Sequence, residues 1–307
     1  MKKFTEWCQK QRVILIDSAM GLGLKERGYN LNNQLWTAKA LIDRPDLVYQ
    51  TNLAYFNAGS NVTSTDSYQA DPKGFLEAGY SKAAAEKYIK ESVQLAQKAR
   101  NDSDTPQRKW IGGAVGPYGA YLADGSEYTG NYRLTEQQYV DFHADRIKGL
   151  IEAGCDLLQI KTMPNFNEIQ AVCKLIRRFP DVPAYVTCSL RDAHHISDGT
   201  DLRTVQSFLE KQPQVIAYGF NCFKPAWTVD AIQYVKATAK TNQSLVAVPN
   251  AGGKYDPRTK KFGKADLHVF SRDAPKWINA GAKWIGGCCE ISEKEFSRMH
   301  AVLVNNH

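Results

Sequence analysis

The chain has 307 residues, of which 43% are hydrophobic and 23% are charged. This composition is ordinary for a globular protein that buries a large core. The net charge is +7, and the densest basic cluster is interspersed with acidic residues: Lys254, Asp256, Arg258, Lys260, Lys261, Lys264 and Asp266. A nucleic-acid-binding protein would concentrate its positive charge in a stripe or an arm. We therefore expect a mildly basic surface and no nucleic-acid partner.

The sequence predicts neither an export signal nor a membrane span. The first apolar run after Lys2 and Lys3 covers only residues 13–16, whereas a membrane span needs ~20 apolar residues. The seven cysteines lack the spacing of a disulfide framework. In a reducing compartment such cysteines are core residues, metal ligands or nucleophiles. We therefore expect a cytoplasmic protein with no membrane partner, and the sequence does not predict its oligomeric state.

Short β-branched runs alternate along the chain with longer stretches of helical periodicity. The predicted strands are residues 13–17, 61–65, 110–115, 157–162, 184–190, 215–222, 245–249 and 284–289. The clearest helical stretch is 166–179, and two further stretches, 139–153 and 274–280, are followed by a glycine that can end a helix. Eight strand–helix units of about 40 residues favour an α/β fold of the TIM type, a (β/α)8 barrel. We expect residues 1–307 to form one such domain.

Two cysteine motifs close predicted strands. Cys222 ends the sixth strand, and Gly286-Gly287-Cys288-Cys289 ends the eighth. In a barrel both strand ends point to the catalytic face, so the three thiols can converge on one ion, with the glycines allowing the backbone to turn. Three thiolates suit Zn²⁺ and leave its fourth position open, as in catalytic zinc sites. The spacing alone leaves open the alternative that Cys222 and Cys288 are small buried core residues.

An open zinc position has a use with a thiol substrate, because metal coordination delivers a thiolate at neutral pH. A thiolate is suited to attack a methyl group carried by a positively charged leaving group. A sulfonium donor would be surrounded by aromatic rings and carboxylates. The predicted loop at 116–133 offers both, with Tyr118, Tyr121, Tyr128, Asp124 and Glu127. The alternative is a tyrosine-rich loop that packs only on its own scaffold.

Motifs spread over nearly the whole chain carry a family likeness. They are Ile16-Asp17, Ala19-Met20, Leu35-Trp36, Ser67-Tyr68-Gln69-Ala70, Val115-Gly116-Pro117-Tyr118, Tyr121-Leu122-Ala123-Asp124-Gly125-Ser126-Glu127-Tyr128, Leu190-Arg191-Asp192, Asn221-Cys222, Pro249-Asn250 and Gly286-Gly287-Cys288-Cys289. In these motifs the chain resembles the homocysteine S-methyltransferase family, especially the branch that uses S-methylmethionine. The tyrosine loop together with the two cysteine motifs is highly specific.

The resemblance implies the chemistry and the residues of the site. It implies a (β/α)8 barrel with Zn²⁺ on Cys222, Cys288 and Cys289 that transfers a methyl group from S-methylmethionine or S-adenosylmethionine to the thiol of homocysteine, giving methionine. On this basis we predict that Asp17 orients the acceptor as part of the catalytic site. The predicted substrate contacts are Lys161, Thr162, Asn221 and Asn250 on the acceptor side, and Tyr118, Tyr121 and Asp124 in the donor loop.

Three acceptor-side positions depart from the family pattern. Ser18 replaces a glycine, Gly253 replaces a glutamate, and Lys161 replaces the glutamate that the resemblance assigns to the acceptor's α-ammonium. Lysine beside an ammonium would cost ~1 to 4 kcal/mol at 4 Å. Three explanations remain open. Lys161 swings away and leaves the amine to an acid such as Asp17, the acceptor lacks that amine and Lys161 holds a carboxylate, or methyl transfer has been lost.

Two other classes of function remain as alternatives. A lysine at the end of a barrel strand can act as a Schiff-base nucleophile if burial lowers its pKa, and Lys161 has that position. That hypothesis leaves the three clustered thiols unexplained. A zinc-binding relic without turnover is the non-enzymatic alternative. Methyl transfer to homocysteine, or to a related thiol acceptor, accounts for more of the sequence.

Overall fold

The computed structural model describes residues 2–253, 255–256, 261–263, 266 and 268–305. Within them, eight parallel strands form one sheet: β1 (Ile14–Leu15), β2 (Val62–Ser64), β3 (Trp110–Val115), β4 (Leu157–Met163), β5 (Ala184–Cys188), β6 (Val215–Asn221), β7 (Ser244–Val248) and β8 (Ala282–Ile285). Each strand pairs with its neighbours in chain order, and β8 pairs with β1. A parallel bridge between Ile16 and Val62 joins β1 to β2 and completes the ring. The predicted (β/α)8 architecture is confirmed.

Helices surround this ring. They are α1 (Lys2–Lys10), α2 (Met20–Glu26), α3 (Ala40–Asp43), α4 (Pro45–Asn57), α5 (Pro72–Glu77), α6 (Lys82–Asp102), α7 (Tyr118–Leu122), α8 (Glu136–Glu152), α9 (Phe166–Ile176), α10 (Leu202–Leu209), α11 (Thr228–Lys236), α12 (Val269–Ala280) and α13 (Glu293–Asn305). The three helical stretches predicted from the sequence correspond to α8, α9 and α12. Side chains cap the N-termini of several helices; for example, Thr135 and Gln138 form a capping box at the start of α8.

Six of the eight predicted strands end one to four residues earlier than expected, and the ends of the eighth and the fifth bear on the site. The eighth strand stops at Ile285, so the prediction of a strand over 284–289 is wrong for residues 286–289, which form a loop. A Cβ atom on Gly286 would lie 2.7 Å from the carbonyl oxygen of Ile16, so only glycine allows this approach. The fifth strand stops at Cys188. Leu190 instead starts a short antiparallel ribbon, Leu190–Asp192 with His195–Ile196.

The strands divide the core into two clusters. Alternate residues of β4 face opposite ways, as the period of a strand requires. Leu157 belongs to the cluster inside the barrel, whereas Leu158 and Ile160 pack in the cluster between the sheet and the helices. Lys161, four residues after Leu157, is therefore on the inner side at the carboxyl end. At the opposite end Phe4 of α1 packs against Trp110 with a ring separation of 5.1 Å.

Two sequence expectations concern the surface. Among the described residues, no helix has the length and apolar character needed to cross a membrane. Of the basic cluster predicted to lie at the surface, Lys254, Arg258, Lys260 and Lys264 fall outside the described residues.

Candidate metal and substrate site

Three cysteine sulfurs meet at the carboxyl end of the barrel. Cys222 follows β6 directly, while Cys288 and Cys289 lie in the loop after β8, and the three sulfurs are all within 4.8 Å of one another. The Sγ atoms of Cys222 and Cys289 are 3.5 Å apart, and Cys222 and Cys288 are joined by a disulfide bond. The structure thus brings together the three residues that the sequence predicted as metal ligands.

Backbone hydrogen bonds fix the loops that carry these cysteines. The amide of Cys222 donates to the carbonyl oxygen of Val248 at 3.0 Å, and the amide of Cys288 donates to that of Pro249 at 3.0 Å. The carbonyl oxygen of Cys289 accepts from the amide of Ala251 at 3.1 Å. Segments after three different strands are therefore joined by main-chain bonds, which fix the backbone positions of the three cysteines relative to one another.

Asn221 connects the sulfur cluster to the end of β4. Its Oδ1 accepts from the backbone amide of Thr162 at 2.7 Å, and its Nδ2 donates to Thr162 Oγ1 at 2.7 Å. The same Nδ2 lies 3.9 Å from the Sγ of Cys288. Thr162 has a φ of 61° and Cys222 a φ of 55°, a region that costs energy for residues other than glycine. The buried Asn221–Thr162 pair provides interactions that hold this strained strand end.

A second polar cluster lies at the same end of the barrel, on β1, β2 and β4. The two carboxylate oxygens of Asp17 accept from the amide and the hydroxyl of Ser64, at 2.6 and 2.8 Å. The ammonium of Lys161 donates to the hydroxyl oxygen of Ser64 at 3.1 Å. Burial raises the pKa of Asp17, and the charge of Lys161 opposes that rise. Burial likewise lowers the pKa of Lys161, while the charges of Asp17 and Cys289 act in the opposite direction.

The cysteine cluster fits a soft divalent cation. Burial raises the pKa of the Cys289 thiol to about 12, so a thiolate there requires a nearby positive charge. Three thiolates are a donor set typical of zinc, and sulfurs on one tetrahedral zinc are about 3.8 Å apart. The 3.5 Å between Cys222 and Cys289 is close to that spacing. Because the disulfide occupies two of the three sulfurs, its reduction must precede metal binding.

The predicted donor loop divides into two parts. The rings of Tyr118 and Tyr121 in α7 pack on Phe142 of α8, with centroids 5.0 and 5.6 Å from it. The hydroxyl of Tyr121 donates to Glu77 at 2.6 Å, and Asp124 accepts from the amide of Ser126 at 2.9 Å. These contacts hold the loop on the outer helices. The substrate-binding role of Tyr118, Tyr121 and Asp124 therefore stays a prediction.

The second part of the loop reaches the sulfur cluster. The hydroxyl of Tyr128 lies 3.8 Å from the Sγ of Cys289, and the carbonyl oxygen of Glu127 accepts from Ser189 at 2.7 Å. Burial raises the pKa of the Glu127 carboxyl to about 7. Tyr128, a loop residue that was not among the predicted substrate contacts, therefore lies beside a predicted metal ligand.

A polar network with three buried side chains, those of His143, Arg146 and Glu168, anchors this loop. One carboxylate oxygen of Glu168 accepts from the amide of Tyr118 at 2.6 Å and lies 2.8 Å from the Nε2 of His143, and the other accepts from the hydroxyl of Tyr132. Arg146 donates to the carbonyl oxygen of Gly116 at 2.7 Å. Burial lowers the pKa of His143. The network links α8 and α9 to both ends of the loop.

The sequence did not indicate some polar residues of the site, although it did indicate others. Ser64 is the hydroxyl between Asp17 and Lys161, and no motif marks it. Ser18 donates to the carbonyl oxygen of Ile291 at 2.9 Å, which ties it to the loop after β8; its departure from the family pattern was the signal. Asn250 is buried and accepts from the amide of Gly252 at 2.8 Å, so it shapes the turn after β7. Its predicted contact with substrate stays a prediction.

Comparison with known proteins places this architecture in a family. The family pattern described as Homocysteine S-methyltransferase matches residues 14–303. The Homocysteine S-methyltransferase of Escherichia coli (strain K12) is 41% identical over 298 residues, which cover 95% of this chain and 96% of the relative.

Solved structures of a related enzyme match the fold as well. The homocysteine methyltransferase MmuM from Escherichia coli matches in its oxidized form with a TM-score of 0.87 and in its metallated form with a TM-score of 0.86. In both comparisons the identity is 39%, and the match covers 95% of this chain and 97% of the other. The extent and identity of these matches allow one conclusion: the chain belongs to the homocysteine S-methyltransferase family.

Proposed function

We propose that this protein transfers a methyl group from a sulfonium donor to the thiol of homocysteine and so forms methionine. The observation that carries the proposal is the group of three cysteine sulfurs within 4.8 Å of one another at the carboxyl end of the barrel. A relative named for this activity is 41% identical over nearly the whole chain, which supports the same chemistry here. The donor is S-methylmethionine or S-adenosylmethionine, since either presents a methyl group on positively charged sulfur.

We propose Zn²⁺ as the cofactor, held by Cys222, Cys288 and Cys289. Bound zinc supplies one thing, a lowered thiol pKa that makes the acceptor nucleophilic at neutral pH. The related Escherichia coli enzyme has a metallated form, which supports a metal in this protein as well. Ligand thiols must be reduced, which favours a reducing compartment and supports the proposal of a cytoplasmic enzyme.

The residues around the cysteines have positioning tasks in this proposal. Asn221 directs an N–H toward Cys288 and stabilises a thiolate there. Its pairing with Thr162 fixes the end of β4 next to the site. Asp17 and Lys161 both hydrogen-bond to Ser64, and we propose that they orient the acceptor. For Asn250 we propose an acceptor-side contact at the turn after β7.

On the donor side, the proposal relies on the loop after β3. We propose that Tyr118, Tyr121 and Asp124 form the donor-side surface, because aromatic faces and carboxylates attract a sulfonium. We add Tyr128 and Glu127, since Tyr128 is 3.8 Å from the Cys289 sulfur. We also propose that residues 1–307 act as one domain, supported by a single ring of strands that extends from β1 to β8.

The experiment is a direct assay of the reduced, zinc-loaded protein. The protein is incubated with homocysteine and either S-methylmethionine or S-adenosylmethionine, and methionine is measured by mass spectrometry. We expect methionine from wild type, and loss of both zinc and turnover in Cys288→Ala. Cys155→Ala, a buried cysteine on the helical side of the barrel, is the matched control and should keep both. Bound zinc without transfer from either donor to any thiol would refute the proposal and favour a zinc-binding relic.

A further inference from the structure

Lys161 orients the acceptor in the proposed function, and its surroundings indicate which group of the acceptor it contacts. Lys161 lies on the inner side of the carboxyl end of β4, next to Thr162, which pairs with Asn221 beside the cysteine sulfurs. Lys161 and the three cysteines therefore lie at the same carboxyl end of the barrel, where a small molecule whose sulfur is held at the cysteines can extend toward the ammonium.

The hydrogen bonds of Lys161 leave it able to bind a ligand. An ammonium has three N–H donors, and among the described residues Lys161 donates one hydrogen bond, to Ser64 at 3.1 Å. Its side chain is half-buried. Asp17 differs, because it is 1% exposed and both of its oxygens already accept from Ser64. A ligand that enters the carboxyl end of the barrel therefore reaches the ammonium of Lys161 before it reaches the carboxylate of Asp17.

We propose that Lys161 binds the carboxylate of the acceptor, and that this enzyme accepts thiols that carry a carboxylate without requiring an α-ammonium. This inference rests on the proposed methyl transfer. A carboxylate forms a charge-assisted hydrogen bond with the ammonium, whereas an acceptor's own ammonium at this position would be repelled. The carboxylate end of the acceptor then lies at β4 while its sulfur lies at the cysteines. Lys161 is a specificity-determining residue in this arrangement.

The first test uses wild-type protein and three acceptors with S-methylmethionine as the donor. Homocysteine carries both groups, 4-mercaptobutanoate lacks the amine, and 3-mercaptopropylamine lacks the carboxylate. We expect kcat/KM for 4-mercaptobutanoate within about tenfold of that for homocysteine, and a loss of about a hundredfold for 3-mercaptopropylamine. Good turnover of 3-mercaptopropylamine together with poor turnover of 4-mercaptobutanoate would overturn the inference.

The second test changes Lys161. In Lys161→Gln we expect KM for the two carboxylate thiols to rise about ten- to a hundredfold, with KM for 3-mercaptopropylamine unchanged. Lys161→Arg should keep the preference for a carboxylate. Lys90→Gln, which removes a lysine paired with Glu152 on the outer helices, is the matched charge control. An equal fall of kcat for all three acceptors in Lys161→Gln would mean that Lys161 only balances the thiolate charges, and would refute carboxylate binding.

A binding measurement separates this inference from the proposed function. Calorimetry of the zinc-loaded protein with 4-(methylthio)butanoate, a thioether that needs no turnover, reports carboxylate recognition alone. Binding by wild type that weakens in Lys161→Gln supports the inference even if no methyl transfer is found. Methyl transfer to homocysteine combined with equal binding by wild type and Lys161→Gln overturns the inference and leaves the proposed function intact.

Discussion

Replacing Asn221 by aspartate tests how the polar surroundings tune the cysteine cluster. The substitution keeps the shape of the side chain but exchanges an N–H donor, 3.9 Å from the Cys288 sulfur, for a carboxylate oxygen. Two unit charges at that separation repel by about 1 kcal/mol in water and about 4 kcal/mol at an effective dielectric constant of 20. Zinc on three thiolates replaces three thiol protons, so the occupied site carries one net negative charge that the new carboxylate repels, and we expect zinc affinity to fall by about one to three powers of ten.

The fold should survive this change. The new carboxylate still accepts from the amide of Thr162, and the Thr162 hydroxyl can rotate and donate instead of accepting. The assay is competition for zinc against a chelator with the reduced protein, together with thermal unfolding of the metal-free form. Asn101→Asp, at an exposed position of α6, is the control for added negative charge. Equal zinc affinity in wild type and Asn221→Asp would refute the electrostatic reasoning.

Three further predictions concern stability. Ser18→Ala removes the hydroxyl that donates to the carbonyl of Ile291, so chemical denaturation should show a loss of about 1 kcal/mol in the free energy of unfolding; an unchanged value would contradict a tethering role. Glu168→Gln weakens a buried carboxylate that contacts Tyr118, Tyr132 and His143. We expect the free energy of unfolding to fall by about 1–3 kcal/mol and KM for the donor to rise. A loss of stability without a change in KM would mean that the network does not position the donor loop. Burial raises the pKa of Asp66 to about 7, whereas an aspartate in an unfolded chain has a pKa of about 3.9. Between these two values the folded state binds more protons than the unfolded state. The free energy of unfolding therefore falls as the pH rises from about 4 to about 7. Asp66→Asn should flatten this slope in denaturation curves recorded across that range, and an unchanged slope would assign it to other groups.

Much of the fold follows from local sequence because the strands are short apolar runs that alternate with amphipathic helices. The third strand is found where the pattern predicts it, at Trp110–Val115. The convergence of Cys222 with Cys288 and Cys289 was also predictable, since the carboxyl ends of all strands share one face. Local pattern did not predict that the eighth strand ends at Ile285. That end depends on the approach of Gly286 to β1, a contact between the two ends of the chain.

Contacts between distant strands were equally invisible in the sequence. Ser64 and Lys161 are separated by 97 residues and meet only because β2 and β4 close around the same interior. The placement of Tyr118 and Tyr121 on Phe142 also depended on tertiary packing, because an aromatic ring serves a binding surface and a helix contact equally well. The sequence therefore predicted which residue types form the site better than it predicted which neighbours their side chains contact.

The main-chain bonds between the segments after β6, β7 and β8 have a consequence for how this site can change. An insertion or deletion between Val248 and Ala251 would displace the partners of Cys222, Cys288 and Cys289 together, although none of the three is altered. The segments after β6, β7 and β8 form one hydrogen-bonded unit, so a change in the length of one requires matching changes in the other two. Transplanting the metal-binding function into another barrel would therefore require all three segments at once, with their lengths preserved.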